Sequence, residues 1–153
     1  MRLERSVDYD LIREVLVSDA RAYQAMGDDA TPPAAEFEPN RHPQIVYLIV
    51  WDGEPERVGG LFVFVPTNGV SFDGHFWVSR QFRGPRGREF GRAALRWMLE
   101  IPGVERITGA IAEDLPQAIR YARDCGLVEY GRNPRAIRKG GQLHDVVLLG
   151  ISR

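Results

Sequence analysis

The sequence predicts a mixed α/β domain, and three observations carry that expectation. Strand-like apolar runs come as hairpins near both ends of the chain, and two amphipathic helical patterns lie between them. One strand also passes through a glycine- and arginine-rich turn directly into the longer helix, VSFDGHFWVS-RQFRGPRG-REFGRAALRWMLE. The order hairpins, helix, strand, helix, hairpin suits one mixed sheet covered by helices better than a doubly wound parallel sheet. A chain of 153 residues is enough for one domain, residues 1–153, that buries roughly 70% of its unfolded surface.

Taken in order, Arg2–Arg5 reads as a short strand. Asp8–Val17 reads as a helix, capped by Asp8 or Asp10, with Leu11, Ile12, Val15 and Leu16 on one face. The pattern continues more weakly through Ala20, Tyr23 and Met26 to Gly27. Residues 27–43 form a long acidic, proline-containing loop, either a solvated spacer or a substrate lid. Gln44–Trp51 is a buried-type strand ended by Asp52-Gly53. Val58–Pro66 and Val70–Val78 are joined by a tight hairpin at Thr67-Asn68-Gly69.

On that last strand Phe72, Gly74, Phe76 and Val78 face one way, and Asp73, His75 and Trp77 the other. The next helix begins near Pro85, whose missing N–H costs nothing at a first helical position. Phe90, Ala94, Trp97, Met98 and Ile101 line its core stripe, and Pro102-Gly103 stops it. Val104–Ile111 is another strand. Glu113-Asp114 should then cap a helix from Leu115 to Asp124, ended by Gly126. Leu127–Tyr130 and Ala136–Ile137 are extended, and Lys139–Gln142 turns the chain into Val146–Ile151.

Composition narrows the classes of function. A net charge of −1 argues against wholesale nucleic-acid binding. The longest apolar run, Ile45–Trp51, is too short to span a bilayer, so no membrane partner is expected. The first ten residues carry no apolar signal segment and the single cysteine, Cys125, suits a reducing compartment, so a cytoplasmic protein is the expectation. His42, His75 and His144 lack metal-ligand spacing, and no metal is expected. Cys125 reads as buried and inert, and Trp51, Trp77 and Trp97 as core.

Charge is unevenly placed: residues 1–60 hold twelve acids against six arginines, whereas residues 80–100 hold six arginines against two glutamates. The second cluster surrounds the strand-to-helix turn. A helix start leaves N–H groups unpaired and carries partial positive charge, so it favours anions, phosphate above all. Gly84, Gly87 and Gly91 would let a ligand approach, and Arg80, Arg83, Arg86 and Arg88 surround it. Histidine is the residue type whose free side chain titrates near neutrality, so on the neighbouring strand His75 is the better candidate base, beside Asp73. Each residue also has a structural role available, His75 as a hydrogen-bonding strand residue and Tyr121 as core.

With its elements in line, the chain resembles the GNAT acyltransferase family over nearly its whole length, most firmly at residues 44–131. Val78, Phe82-Arg83-Gly84 and Gly91-Arg92-Ala93-Ala94-Leu95 are similar to that family's acetyl-CoA motif, and Ala118-Ile119-Arg120 with Cys125-Gly126-Leu127 to its second signature. The Asp-bearing hairpin Gly140–Leu149 is most similar to the small GNAT-like proteins of tailed phages. The resemblance implies a mixed, splayed sheet with helices on both faces, with 70–78 and 104–111 parallel neighbours linked through the 86–101 helix. It also implies transfer of an acetyl group from acetyl-CoA to an amine, on a small molecule or a protein.

Phe76 and Val78 would then pair with the pantetheine arm, and Arg83, Gly84, Arg86, Gly87 and Arg88 would hold the pyrophosphate. His75 would act as base, and Tyr121 would be the candidate acid. The acids of residues 27–43, with the first helices, would draw in a cationic acceptor. The sequence departs from the family at Arg86 and Arg88, where it expects glycines, and at Pro85, which lacks a donor. The family's asparagine position falls on Leu115 or Asp114, and its tyrosine position on Ala122, one step from Tyr121. A one-residue step turns a helical side chain by about 100°. A catalytically silent protein of the same shape is therefore the alternative. It would serve in virion assembly or host interaction and bury the 27–43 loop or the 132–145 hairpin against itself or other virion proteins.

Overall fold

Val46 to Val50 are buried without alternation, so this strand must be covered on both faces. The computed structural model, which describes residues 1–153, shows how. In chain order the elements are β1 (Arg2–Ser6), α1 (Tyr9–Val17), α2 (Ala20–Met26), β2 (Val46–Asp52), β3 (Arg57–Pro66) and β4 (Ser71–Val78). They continue with α3 (Pro85–Leu99), β5 (Arg106–Ala112), α4 (Pro116–Cys125), β6 (Val128–Lys139) and β7 (Gln142–Ser152). The strands form one seven-stranded sheet, β1-β2-β3-β4-β5-β7-β6.

On one face α3 places Phe90, Ala94 and Met98 against Leu48, Phe62, Phe64 and Ile107. On the other, α1 places Ile12 and Val15 against Tyr47, Ile49 and Leu61. At the far end α4 covers Ile111, Val147 and Leu149 with Ala122. Every strand pair is antiparallel except β4–β5, which is parallel with α3 as its crossover. That parallel pairing is brief. It joins Ser71, Phe72 and Asp73 to Arg106, Ile107 and Thr108, and from Gly74 onward the two strands part. The expected mixed, splayed sheet is present.

Some expectations are corrected. The first helix does not run on to Met26: the chain breaks at Ser18, and the Asp19 carboxylate accepts from the N–H groups of Arg21 and Ala22 to start α2. Glu113 and Asp114 do not cap α4. Leu115 sits at its N-cap, while the Glu113 carboxylate accepts from the Asp145 N–H and Asp114 pairs with Lys139. The two extended pieces after Gly126 are one strand, β6, with irregular register at Glu129/Gly131 and Asn133/Ile137. Arg135 lies in the second irregularity at φ 51°, its N–H held by the Asp145 carboxylate. In α3 the buried stripe includes Leu95, while Trp97 is only partly buried.

Residues 27–43 are mostly irregular around a short helical turn at Ala34–Glu36. Arg13 of α1 donates to the carbonyls of Phe37 at 2.8 Å and Ala35 at 3.0 Å. The Asp29 carboxylate accepts from the N–H groups of Gly140 and Gly141 at 2.7 and 2.8 Å, so this loop is docked on the tip of the β6–β7 hairpin. Lys139 adds a donor to the Ala25 carbonyl at the end of α2 and an ion pair to Asp114 at 3.0 Å. The start of the 27–43 loop and the tip of the 132–145 hairpin are thus hydrogen-bonded to each other within this chain.

Candidate active site

The parting of β4 from β5 opens a cleft of about 760 Å³. Phe76, Trp77, Val78 and Tyr121 contribute its apolar surface, α2 and α4 contribute walls, and Arg80, Arg83, Gly84 and Arg88 close the end at the start of α3.

The edge of β4 facing this cleft carries unpaired backbone groups. The Ser79 N–H donates to the Gly59 carbonyl at 2.9 Å, and the β3–β4 register then turns the backbone groups of Trp77 and His75 toward β3 as well. Those of Phe76 and Val78, with the Gly74 carbonyl, consequently point toward the place that β5 has left. The Val78 carbonyl is met there by the Arg83 Nε–H at 3.3 Å. An extended ligand with amide groups can pair with such an edge as an added strand.

At the end of the cleft Gly84 caps α3 with φ 96° and open space where a Cβ would stand. No side chain caps the helix. Pro85 has no N–H, the Arg88 N–H is taken by the Gly84 carbonyl, and the N–H groups of Arg86 and Gly87 have no partner in the chain. Arg83 also reaches the Asp19 carboxylate at 3.2 Å, while Arg80 grips it with two bonds of 2.9 and 3.1 Å. Arg80 above all, with the capped N–H groups, holds the Asp19 carboxyl well below the usual carboxylate range. Arg88 lies in the cleft 3.9 Å from Asp124.

Three residues expected at the anion site have other duties. Arg86 turns out of the cleft: it forks onto Asp52 at 2.7 and 2.8 Å, pairs with Glu89, and lies over the Phe90 ring. The guanidinium fork expected to take a diphosphate is closed on a carboxylate of β2 instead. Gly87 is buried, and a Cβ there would stand 2.9 Å from the Phe82 carbonyl oxygen and 3.0 Å from the Val78 side chain. Its small size seats the helix on the preceding turn, leaving only its N–H for a ligand. Gly91 has a similar packing role, since a Cβ would lie 2.7 Å from the Tyr121 hydroxyl and collide with Cys125.

Tyr121 donates its hydroxyl to the Gly87 carbonyl at 2.7 Å and packs its ring 4.6 Å from that of Phe76. Burial raises its pKa above the ordinary tyrosine value. His75 stands on the opposite face of β4, more than half exposed, with Nε2 3.4 Å from Asp73 Oδ2. The Thr108 hydroxyl donates to Asp73 Oδ1 at 3.3 Å. Burial pushes the Asp73 carboxyl above its usual range, against the opposing pull of His75 and Thr108. The structure brings His75 and Tyr121 together only at the fork, where both border a small pocket of about 40 Å³ with Gly74, Phe76 and Thr108.

Sequence reading missed three residues here. Asp19 joins α2 to the turn before α3, and its helix-capping pattern was the available signal. Arg21 and Arg120 line the cleft from α2 and α4, and nothing local separates them from other exposed helical arginines.

No family model and no curated protein matches the sequence. Solved structures do. Over 99% of this chain and 94% of theirs, it is similar to spermidine N-acetyltransferase from Vibrio cholerae, in complex with CoA and spermine, at 17% identity and TM-score 0.78. It is also similar to the ribosomal-protein-S5-alanine acetyltransferase from Vibrio fischeri, at 17% identity and TM-score 0.73, over 99% and 91% of the two chains. Element order, the splayed mixed sheet and coverage of nearly the whole chain agree: the protein has the fold of the GNAT acetyltransferases.

Proposed function

We propose that the protein is an N-acetyltransferase that uses acetyl-CoA and an amine. The carrying observation is that one cleft joins an unpaired β4 edge to an uncapped α3 N-terminus. This pairing fits an elongated ligand with amides along its arm and a diphosphate at its end. Acetyl-CoA is such a ligand, and when bound it supplies an activated acyl group. The solved structures with the same fold include an acetyltransferase in complex with CoA, which supports the reading.

The chain's own residues divide the work. The backbone of Phe76 orients the amide-bearing arm, with Val78 beside it once Arg83 shifts. The free N–H groups of Arg86 and Gly87 and the side chains of Arg83 and Arg88 hold phosphate, each charge-assisted contact contributing about 1.5–3 kcal/mol. Arg120 adds charge on the same wall. His75 accepts the proton that the amine loses, through water where needed, and Asp73 orients its ring. Tyr121 keeps its proton and spends it on the Gly87 carbonyl, so its main effect is to hold α4 against the first turn of α3.

Heat denaturation with and without acetyl-CoA tests the reading, because a ligand bound only by the native state raises Tm. A clear rise is expected, with Arg83→Ala weakening affinity roughly tenfold or more. His75→Gln should lower turnover at near-normal affinity, and Tyr121→Phe should change turnover far less. No shift at millimolar acetyl-CoA would overturn the proposal and favour a silent protein of the same shape.

A further inference from the structure

The charges lining the cleft also bear on the acceptor, on the footing of the transferase reading above. Five arginines line it, Arg21, Arg80, Arg83, Arg88 and Arg120, against two acids, Asp19 and Asp124. Both acids are engaged, Asp19 by Arg80 and Arg83 and Asp124 by Arg88. No carboxylate in the cleft is left to receive a cation.

The acids of residues 27–43 do not fill that role either. Asp28 holds Thr31 and the Ala30 N–H, Asp29 holds the hairpin tip, Glu38 faces Arg13 at 3.8 Å and the Glu36 carboxylate has no partner, but none of the four lines the cleft. Arg21 stands apart. It projects from α2 beside Ala22, Ala25 and Met26 and, like Arg120 on α4, has no ion-pair partner. Trp77 of β4 borders the same region and shares its strand face with His75. His75 itself does not line the cleft, but the α2 wall next to Trp77 is apolar with one unpaired guanidinium, whereas Arg83, Arg88 and Arg120 stand toward α3 and α4.

We infer that the acceptor is an amine that also carries an anionic group, a carboxylate or a phosphate, and that Arg21 selects it. A polyamine would bring like charge to Arg21 and find no free carboxylate. An aminoalkyl carboxylate or phosphate gives Arg21 a charge-assisted pair, lays its carbon chain along Ala22 and Ala25, and turns its amine toward His75.

Calorimetric titration of the CoA-loaded protein with 4-aminobutyrate, phosphoethanolamine, butylamine, 1,4-diaminobutane and spermidine tests this. At least one anionic amine should bind roughly tenfold or more tighter than butylamine, and both polyamines more weakly. The two anionic ligands distinguish carboxylate from phosphate. Arg21→Glu should reverse the order toward the polyamines and Arg21→Ala should level it. Melting curves of both variants should match the wild type, because the side chain has no partner to lose. Tighter binding of spermidine by the wild type, an order unchanged by Arg21→Glu, or no binding of either anionic amine overturns the inference. A wild-type protein that takes CoA in any of these cases leaves the transferase reading standing, and one that takes no CoA overturns both.

Discussion

Two carboxylates flank the turn before α3, and each grips arginine with a fork. Asp52 holds Arg86 on the side of β2, and Asp19 holds Arg80 and Arg83 on the side of α2. They are buried alike, with side chains 10% and 9% exposed. What differs is the setting of the guanidinium. Arg86 lies over Phe90 on the surface outside the cleft, its side chain 44% exposed, and the same carboxylate also holds the amino terminus at 3.1 Å. Arg80 and Arg83 project into the cleft, where a phosphate could replace Asp19. The same pair of chemical groups acts as a brace where Asp52, Glu89 and Phe90 together hold the guanidinium, and as an exchangeable contact where the arginines border a ligand site.

The largest effect should come from Asp52→Asn. It keeps the shape and removes a charge that braces β2, α3 and the chain start, lowering stability by about 1–3 kcal/mol, several degrees in Tm. The same variant has a pH signature. Arg86 holds the Asp52 carboxyl well below its unfolded value of 3.8, so the unfolded state takes up protons first. Its stabilisation is complete above that value and is lost as pH falls through the lower folded value. Wild type should therefore show a steeper loss below about pH 4 than Asp52→Asn in acid-melting curves.

Asp19→Asn should do the reverse. Asparagine still caps α2, so Tm should move little, while the freed arginines should bind inorganic pyrophosphate severalfold tighter by calorimetry. An equal loss of Tm in both variants would break the distinction. Arg80→Lys should be smallest of all, a slight rise in pyrophosphate affinity, because lysine loses the fork while Arg83 stays on Asp19.

The sequence made the sheet legible where burial was two-sided or cleanly alternating. The apolar run of β2, the two faces of β4, Pro85 at the start of α3 and Gly126 at the end of α4 all follow from local chemistry. The parting of β4 and β5 was reached through family resemblance, since no local pattern specifies where two strands stop pairing. The partner of Arg86 was hidden because Asp52 lies 34 residues away. A run of four arginines looks like one anion site, and only the fold shows that one of them is turned outward. The unity of β6 was hidden by its irregular register and by Arg135 in a backbone region that few residues adopt.

One consequence follows from how α2 is held. Tyr23 is its one buried residue, and polar contacts secure it at both ends: Asp19 to Arg80 and Arg83 at the start, the Ala25 carbonyl to Lys139 at the finish. The helix thus stands among the least cooperative parts of the molecule, able to open without cost to the sheet. At the start the tether is ionic and Arg80 and Arg83 are more than half exposed, so added salt weakens it while leaving the apolar layers intact. Rising ionic strength should therefore loosen α2 and ease access to the cleft, and should weaken the Asp52–Arg86 brace with it.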